Sequence, residues 1–268
     1  MQEKIDFQEV DERLYGVPLV GGLLAGIVSF VAGYLAFLGI AAGTGDGLDA
    51  DNPLRSLQEV GHFFYNSFLV PTYNRRVAIT EQQLEDTDEG VIVEEQLETW
   101  FNPFVDSEET AHHQIIVDGQ TLEDNTFSNP VGDVGLTFPA ELYLAIPVVV
   151  LLLVGAVFSY RFIDRNAIQT QKELVTCTLV GGGTITVGFL LVTLLGTYAL
   201  AIEGEGSVVR PDRVDALLYG FTYPLVSAST GVLLGQLFRG RAHENQETAV
   251  GSSEQQVSRE GDAEGVEG

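Results

Sequence analysis

The residues best equipped for chemistry are Glu108, Glu109, His112 and His113. On a helix, i, i+4 spacing sets Glu108 with His112 and Glu109 with His113 on shared faces. Zinc sites draw two of their ligands from such pairs but need a third and fourth. His62 is the only other histidine before the tail residue His243, and no His-Glu-x-x-His occurs. The cluster therefore reads as a solvated acidic turn. Cys177 is the single cysteine, which leaves no intrachain disulfide and no cysteine-based metal site, and suits a small packing residue. Gly181-Gly182-Gly183 has a phosphate loop's composition but lacks the following Lys and lies in an apolar run. Thr184, Thr186, Thr193 and Thr197 would suit a polar path, although threonine in an apolar helix more often bonds its own turn. Pro147 and Pro224 interrupt apolar helices as in some transporters, yet no Asp, Glu, His or Arg sits beside them to couple ions or protons. No catalytic, cofactor-binding or metal-ligating residue is assigned, no cofactor is implied, and no enzyme activity is expected.

The elements that position these residues are four apolar runs, 17–42, 142–160, 174–202 and 214–238. Each meets the roughly 20 residues needed to cross a hydrocarbon core. Asp215, at the edge of the last, is their only Asp, Glu, Lys or Arg, as expected where a central charge costs several kcal/mol. The first run is about twice the length of a signal peptide's apolar region, which favours a retained anchor.

Orientation follows from the basic residues. The polar N-terminus 1–16, the loop 161–173 and the tail 239–268 carry eight Lys or Arg in 59 positions; 43–141 and 203–213 carry five in 110. Arg161, Arg165 and Lys172 weigh most, so both termini are placed in the cytoplasm of a multi-pass cell-membrane protein, with 43–141 and the loop 203–213 outside.

Residues 43–141 hold −17 of the formal net charge of −25, and the chain has two Lys against eleven Arg. That balance matches the proteome style of haloarchaeal proteins, whose carboxylate surface is screened by salt; an acidic domain binding cations or basic partners is the alternative. Nucleic acid is not an expected partner. Pro53 opens a helix over 54–70 with Leu54, Leu57, Phe64 and Phe68 on one face, lying on the membrane surface or on the domain core. Beyond it, Val77–Thr80, Val91–Val93 and Ile115–Val117 are short β-branched runs. The expected class is an all-α membrane protein, four transmembrane helices with a small, loop-rich α+β extracytoplasmic domain between the first and second. The tail, rich in Gln, Glu, Ser and Gly, reads as disordered.

Small residues line two of the spans. Gly22, Ala25, Gly26, Ser29 and Gly33 in the first, and Ser227, Gly231 and Gly235 in the last, would let helices approach closely, within the chain or between copies or membrane partners. Gly61-His62-Phe63-Phe64-Tyr65-Asn66 and Phe138-Pro139 give the chain its resemblance, over about residues 15–240, to an uncharacterised family of haloarchaeal membrane proteins with one long outer loop. That resemblance implies no activity. The sequence reading is a non-enzymatic envelope protein or accessory or assembly subunit in the lipid bilayer, with a small channel or transporter as the alternative.

Overall fold

The computed structural model describes residues 13–44, 51–83, 90–106, 108–130, 138–164 and 168–263. Its helices are α1 (Leu19–Thr44), α2 (Pro53–Asn66), α3 (Ala140–Phe162), α4 (Gln171–Ala199) and α5 (Arg213–Ala263). Four of them are long and apolar enough to cross a membrane: α1, α3, α4 and the Arg213–Arg239 part of α5. The polar starts of two are capped. The Thr170 hydroxyl accepts from Glu173 N at 3.2 Å while the Glu173 carboxylate accepts from Thr170 N at 2.8 Å, and Asp212 Oδ1 accepts from Val214 N at 2.8 Å and Asp215 N at 3.0 Å. Such caps satisfy amides that the first helical turn leaves without partners.

Helix α1 packs on α4, α4 on α5, α5 on α3, and α3 back on α1. Three bonds run in register between α3 and α5 and make them parallel: Tyr223 to the Leu144 carbonyl (3.0 Å), Gln236 to the Ser159 hydroxyl (2.8 Å) and Arg239 to the Ile163 carbonyl (2.9 Å). The small-residue stripes lie in these seams. A Cβ added at Gly26 would sit 3.0 Å from the Gly188 carbonyl carbon, one at Gly231 3.0 Å from Leu152 Cα, and one at Gly235 3.0 Å from Ala156 Cα, while Gly22 faces Thr184. The stripes thus bring α1 to α4 and α5 to α3 within one chain, close enough for backbone dispersion contacts.

The class expected from sequence is overturned by the strands. β1 (Arg13–Leu14) and β2 (Val17–Pro18) form a small ladder before α1. β3 (Thr72–Gln83), β4 (Gly90–Phe101), β5 (Glu108–Val117), β6 (Gln120–Pro130), β7 (Ile202–Gly204) and β8 (Ser207–Pro211) form one antiparallel six-stranded sheet in the order β6-β5-β4-β3-β8-β7. The protein is mixed α/β, not all-α, and its sheet has strands of 10 to 12 residues where a loop-rich module was expected. Its backbone ladder extends well past the short apolar runs because polar residues continue the pairing on either side of them. The segment 203–213, expected as a plain loop, supplies β8, which pairs with β3 from Thr72↔Pro211 to Arg76↔Ser207. The two interhelical segments therefore meet at one end of the bundle. At the other end Asp164 N donates to the Gly16 carbonyl at 3.0 Å, beside the Arg239–Ile163 bond. Helix α5 runs on beyond Arg239 to Ala263, across the tail read from sequence as disordered.

Candidate functional site

The four residues with the clearest chemical promise lie in strand β5, not on a helix or in a turn. A strand alternates its side chains, so His112 and His113 face opposite sides of the sheet. His112 Nε2 meets Asp124 Oδ1 at 2.6 Å from β6, and His113 Nε2 meets Glu95 Oε1 at 2.8 Å from β4. The His112 contact holds the Asp124 carboxyl below its ordinary range, helped by Gln114. These are separate cross-strand pairs, and among the described residues no group of three or more His, Cys, Asp or Glu converges as a metal would require. The face of the sheet with His112 also carries Tyr73, whose hydroxyl donates to Glu98 Oε1 at 2.6 Å and whose pKa burial and Glu98 push up to about 12. Arg210 lies 4.6 Å over the Tyr73 ring.

The tightest constellation is at the junction of sheet and bundle, where the segment Gly61–Asn66 enters between α1 and α4. Helix α2 ends at Asn66 rather than continuing to residue 70. Its buried face is Ser56, Val60, Gly61, Phe64 and Tyr65, whereas Leu54 and Leu57, expected to share the face of Phe64, are exposed. The entry is fixed by polar contacts to backbone: Gln58 Nε2 donates to the Ala201 carbonyl at 3.0 Å, His62 Nε2 to the Leu200 carbonyl at 2.8 Å, and the Tyr65 hydroxyl to the Thr193 carbonyl. Tyr34 of α1 donates in turn to the Leu57 carbonyl at 2.7 Å.

Glycines make the room. A Cβ at Gly33 would be 2.8 Å from Phe64 Cε2, one at Gly61 2.5 Å from Leu200 Cδ2, and one at Gly196 would strike the Tyr65 hydroxyl. Phe64, Tyr65 and Phe68 are fully buried. The Phe68 ring centroid is 5.6 Å from that of Phe189, and Phe189 is 5.4 Å from Phe30. Phe189 lies ten residues before the last residue of α4, a depth of about 15 Å at 1.5 Å per residue. The chain then turns back through Leu69, at φ 70°, and Val70 before β3 begins. Asn66 and Asn102 tie the turn to the sheet, Asn102 Nδ2 donating to the Asn66 carbonyl at 2.9 Å. Edge-to-face aromatic packing of this kind adds to the burial of large rings.

Sequence reasoning singled out Gly61–Asn66 for its resemblance and placed Phe64 and Phe68 on a helix lying on the membrane surface or on the domain core, and did not find this plug. The usable signal was a run of aromatics beside His62 and Asn66, too polar for a fifth span and too aromatic for a surface loop. The threonines fare differently. Thr184, Thr186, Thr193 and Thr197 each donate to a carbonyl of their own helix, at 2.9, 2.8, 2.9 and 2.8 Å, the bond that threonine in an apolar helix commonly makes. Pro147 and Pro224 are buried inside α3 and α5. Cys177 is buried as well. Chemically, the junction joins α2 to α4 by hydrogen bonds to backbone carbonyls and to α1 and α4 by ring contacts.

No curated protein and no solved structure matches the chain. A family model does match, from β5 to the end of the fourth apolar helix, and it includes Phe138-Pro139 but not the plug. Residues 109–239 match the model of a family of unknown function, DUF7978.

Proposed function

We propose that the chain is a non-enzymatic, multi-pass membrane protein, an envelope component or accessory or assembly subunit that holds a rigid acidic sheet outside the cell. The observation that carries this reading is the aromatic plug. Phe64, Tyr65 and Phe68 fill the sheet end of the bundle with fully buried rings, where a conducting protein would keep a wet vestibule. Rows of exposed aliphatics such as Val20, Leu24, Val28, Val31 and Leu35 on α1 exceed what a water-facing helix tolerates and suit lipid. The pairing of β3 with β8 supports the orientation, because it puts both sparsely basic segments on one side, opposite Arg161 and Lys172. The acidic excess suits a salt-rich aqueous phase of the haloarchaeal kind.

Purified protein reconstituted into vesicles loaded with ion-sensitive dyes tests the choice against the channel or transporter. The reading expects K⁺, Na⁺ and H⁺ fluxes equal to those of empty vesicles. Flux above that background, abolished by crosslinking α2 to α4, would favour transport instead.

A further inference from the structure

The fourth apolar helix begins and ends on an arginine, and each arginine lies over a tyrosine ring from a neighbouring helix. Arg213 is 4.1 Å from the centroid of Tyr198 on α4, and Arg239 is 6.0 Å from that of Tyr160 on α3. The two are 26 residues apart in one helix, about 39 Å at 1.5 Å per residue. That length is close to the roughly 40–45 Å of a bilayer with its headgroup layers. Tyr198 and Tyr160 are 63% and 48% exposed, so they stand on the outside of the bundle. Aromatic rings in that position mark the boundary between hydrocarbon and water.

The two ends are not equivalent. Arg239 donates to the Ile163 carbonyl at 2.9 Å. Arg213 is exposed and, among the described residues, makes no hydrogen bond or ion pair; its guanidinium lies over the Tyr198 ring. A guanidinium stacked on a ring keeps its in-plane N–H donors free, in the fork that matches a phosphate. Basic charge on the sheet side is also segregated. That side's five basic residues, Arg55, Arg75, Arg76, Arg210 and Arg213, lie on α2, β3, β8 or the first residue of α5, the elements that join the bundle, although acidic residues such as Glu59, Glu81 and Asp215 share the same elements. Strands β4, β5 and β6 have no Lys or Arg and carry Glu94, Glu95, Glu98, Glu108, Glu109, Glu123 and Asp124.

We propose that Arg213, seated on Tyr198, binds the phosphate headgroups of anionic lipids in the leaflet beside the sheet. This inference rests on the reading of the four apolar helices as membrane spans.

The test is electron paramagnetic resonance of the full chain in bilayers containing trace spin-labelled phosphatidylglycerol or phosphatidylcholine. Wild type should enrich phosphatidylglycerol in the motionally restricted shell. Arg213→Gln should lower that preference by up to about five-fold, the partition one arginine supplies near an anionic surface. Arg213→Lys should keep most of it. Gln120→Glu, which makes the same change in net charge at the far hairpin, should leave it intact. Equal preference in wild type and Arg213→Gln would overturn the inference while the restricted component itself upheld the spans. Absence of a restricted component for either lipid would instead sink the membrane reading. Loss of the preference when chloride is exchanged for phosphate at equal ionic strength would mark a free-anion site and overturn the headgroup assignment.

Discussion

Replacing Gly33 by Ala asks whether Phe64 is locked against α1. The added Cβ would lie 2.8 Å from Phe64 Cε2 and 3.0 Å from Cζ, well inside the roughly 3.5–4.0 Å at which carbons attract. Phe64 has nowhere to swing. It is fully buried, with ring centroids of Phe30, Phe68 and Phe37 at 5.1, 5.3 and 5.6 Å. Forcing a methyl into such a core costs about 1–3 kcal/mol. Alanine is the better helix former by about 1 kcal/mol, so the net loss is about 0–2 kcal/mol. A double-mutant cycle isolates the contact, because the propensity gain is common to both backgrounds and cancels. Phe64→Leu shortens the ring, so Gly33→Ala should cost about 1–2 kcal/mol less in that background than in wild type, within the range for touching residues. Unfolding in mixed micelles by a denaturing detergent, followed through the single tryptophan, Trp100, measures it. Additivity within about 0.3 kcal/mol would refute the plug.

Three further outcomes follow from the same junction. Burial lowers the pKa of His62, opposed by the Leu200 carbonyl and by Glu59, so the unfolded chain takes up the proton first. The stability from the neutral ring is then complete above about pH 6.5 and falls as pH drops from there toward the folded value. His62→Gln, which keeps an Nε2 donor for Leu200, should flatten stability between about pH 5 and 7; an unchanged slope would assign the effect to another group. Asp212→Ala should cost about 1–3 kcal/mol and shift Trp100 emission, since Asp212 both caps α5 and accepts from Trp100 Nε1 at 3.2 Å; an unmoved spectrum would detach the sheet from the helix start. Val77 N donates to the Gly206 carbonyl, which makes Asn74↔Val209 a closely spaced pair of about 4.5 Å between Cα atoms. Cysteines at 74 and 209 in a Cys177→Ser background should therefore oxidise to a disulfide readily, while 74 with 207 should not, and the reverse would show a different register.

The four apolar helices were legible because charge-free runs of that length have few alternatives: 142–160 became Ala140–Phe162 and 214–238 became Arg213–Arg239. The sheet was not. Val77–Thr80 marked the middle of β3 and Ile115–Val117 the end of β5, but Gln120–Pro130 is exposed at every position and so shows no alternation to read. Much of the sheet is held by backbone pairing and cross-strand contacts such as His113–Glu95, which leave no period in the hydrophobic pattern. The same gap misplaced His112 and His113, whose i, i+4 reading presumed a helix. The plug escaped for another reason: its aromatics are matched to Gly33 and Gly196, far away in sequence, and one chain without its fold does not show that match.

The central claim is that both sheet-forming segments lie outside the cell and the loop after α3 inside. In a Cys177→Ser background, single cysteines at Thr121, Glu205, Gln171 and Ser253 would be probed on intact cells with a membrane-impermeant maleimide. Thr121 in β6, Glu205 between β7 and β8, and Gln171 at the start of α4 are exposed. Positions 121 and 205 should label without lysis, and 171 and 253 only after it; labelling of 171 on intact cells, with 121 protected, would contradict the account.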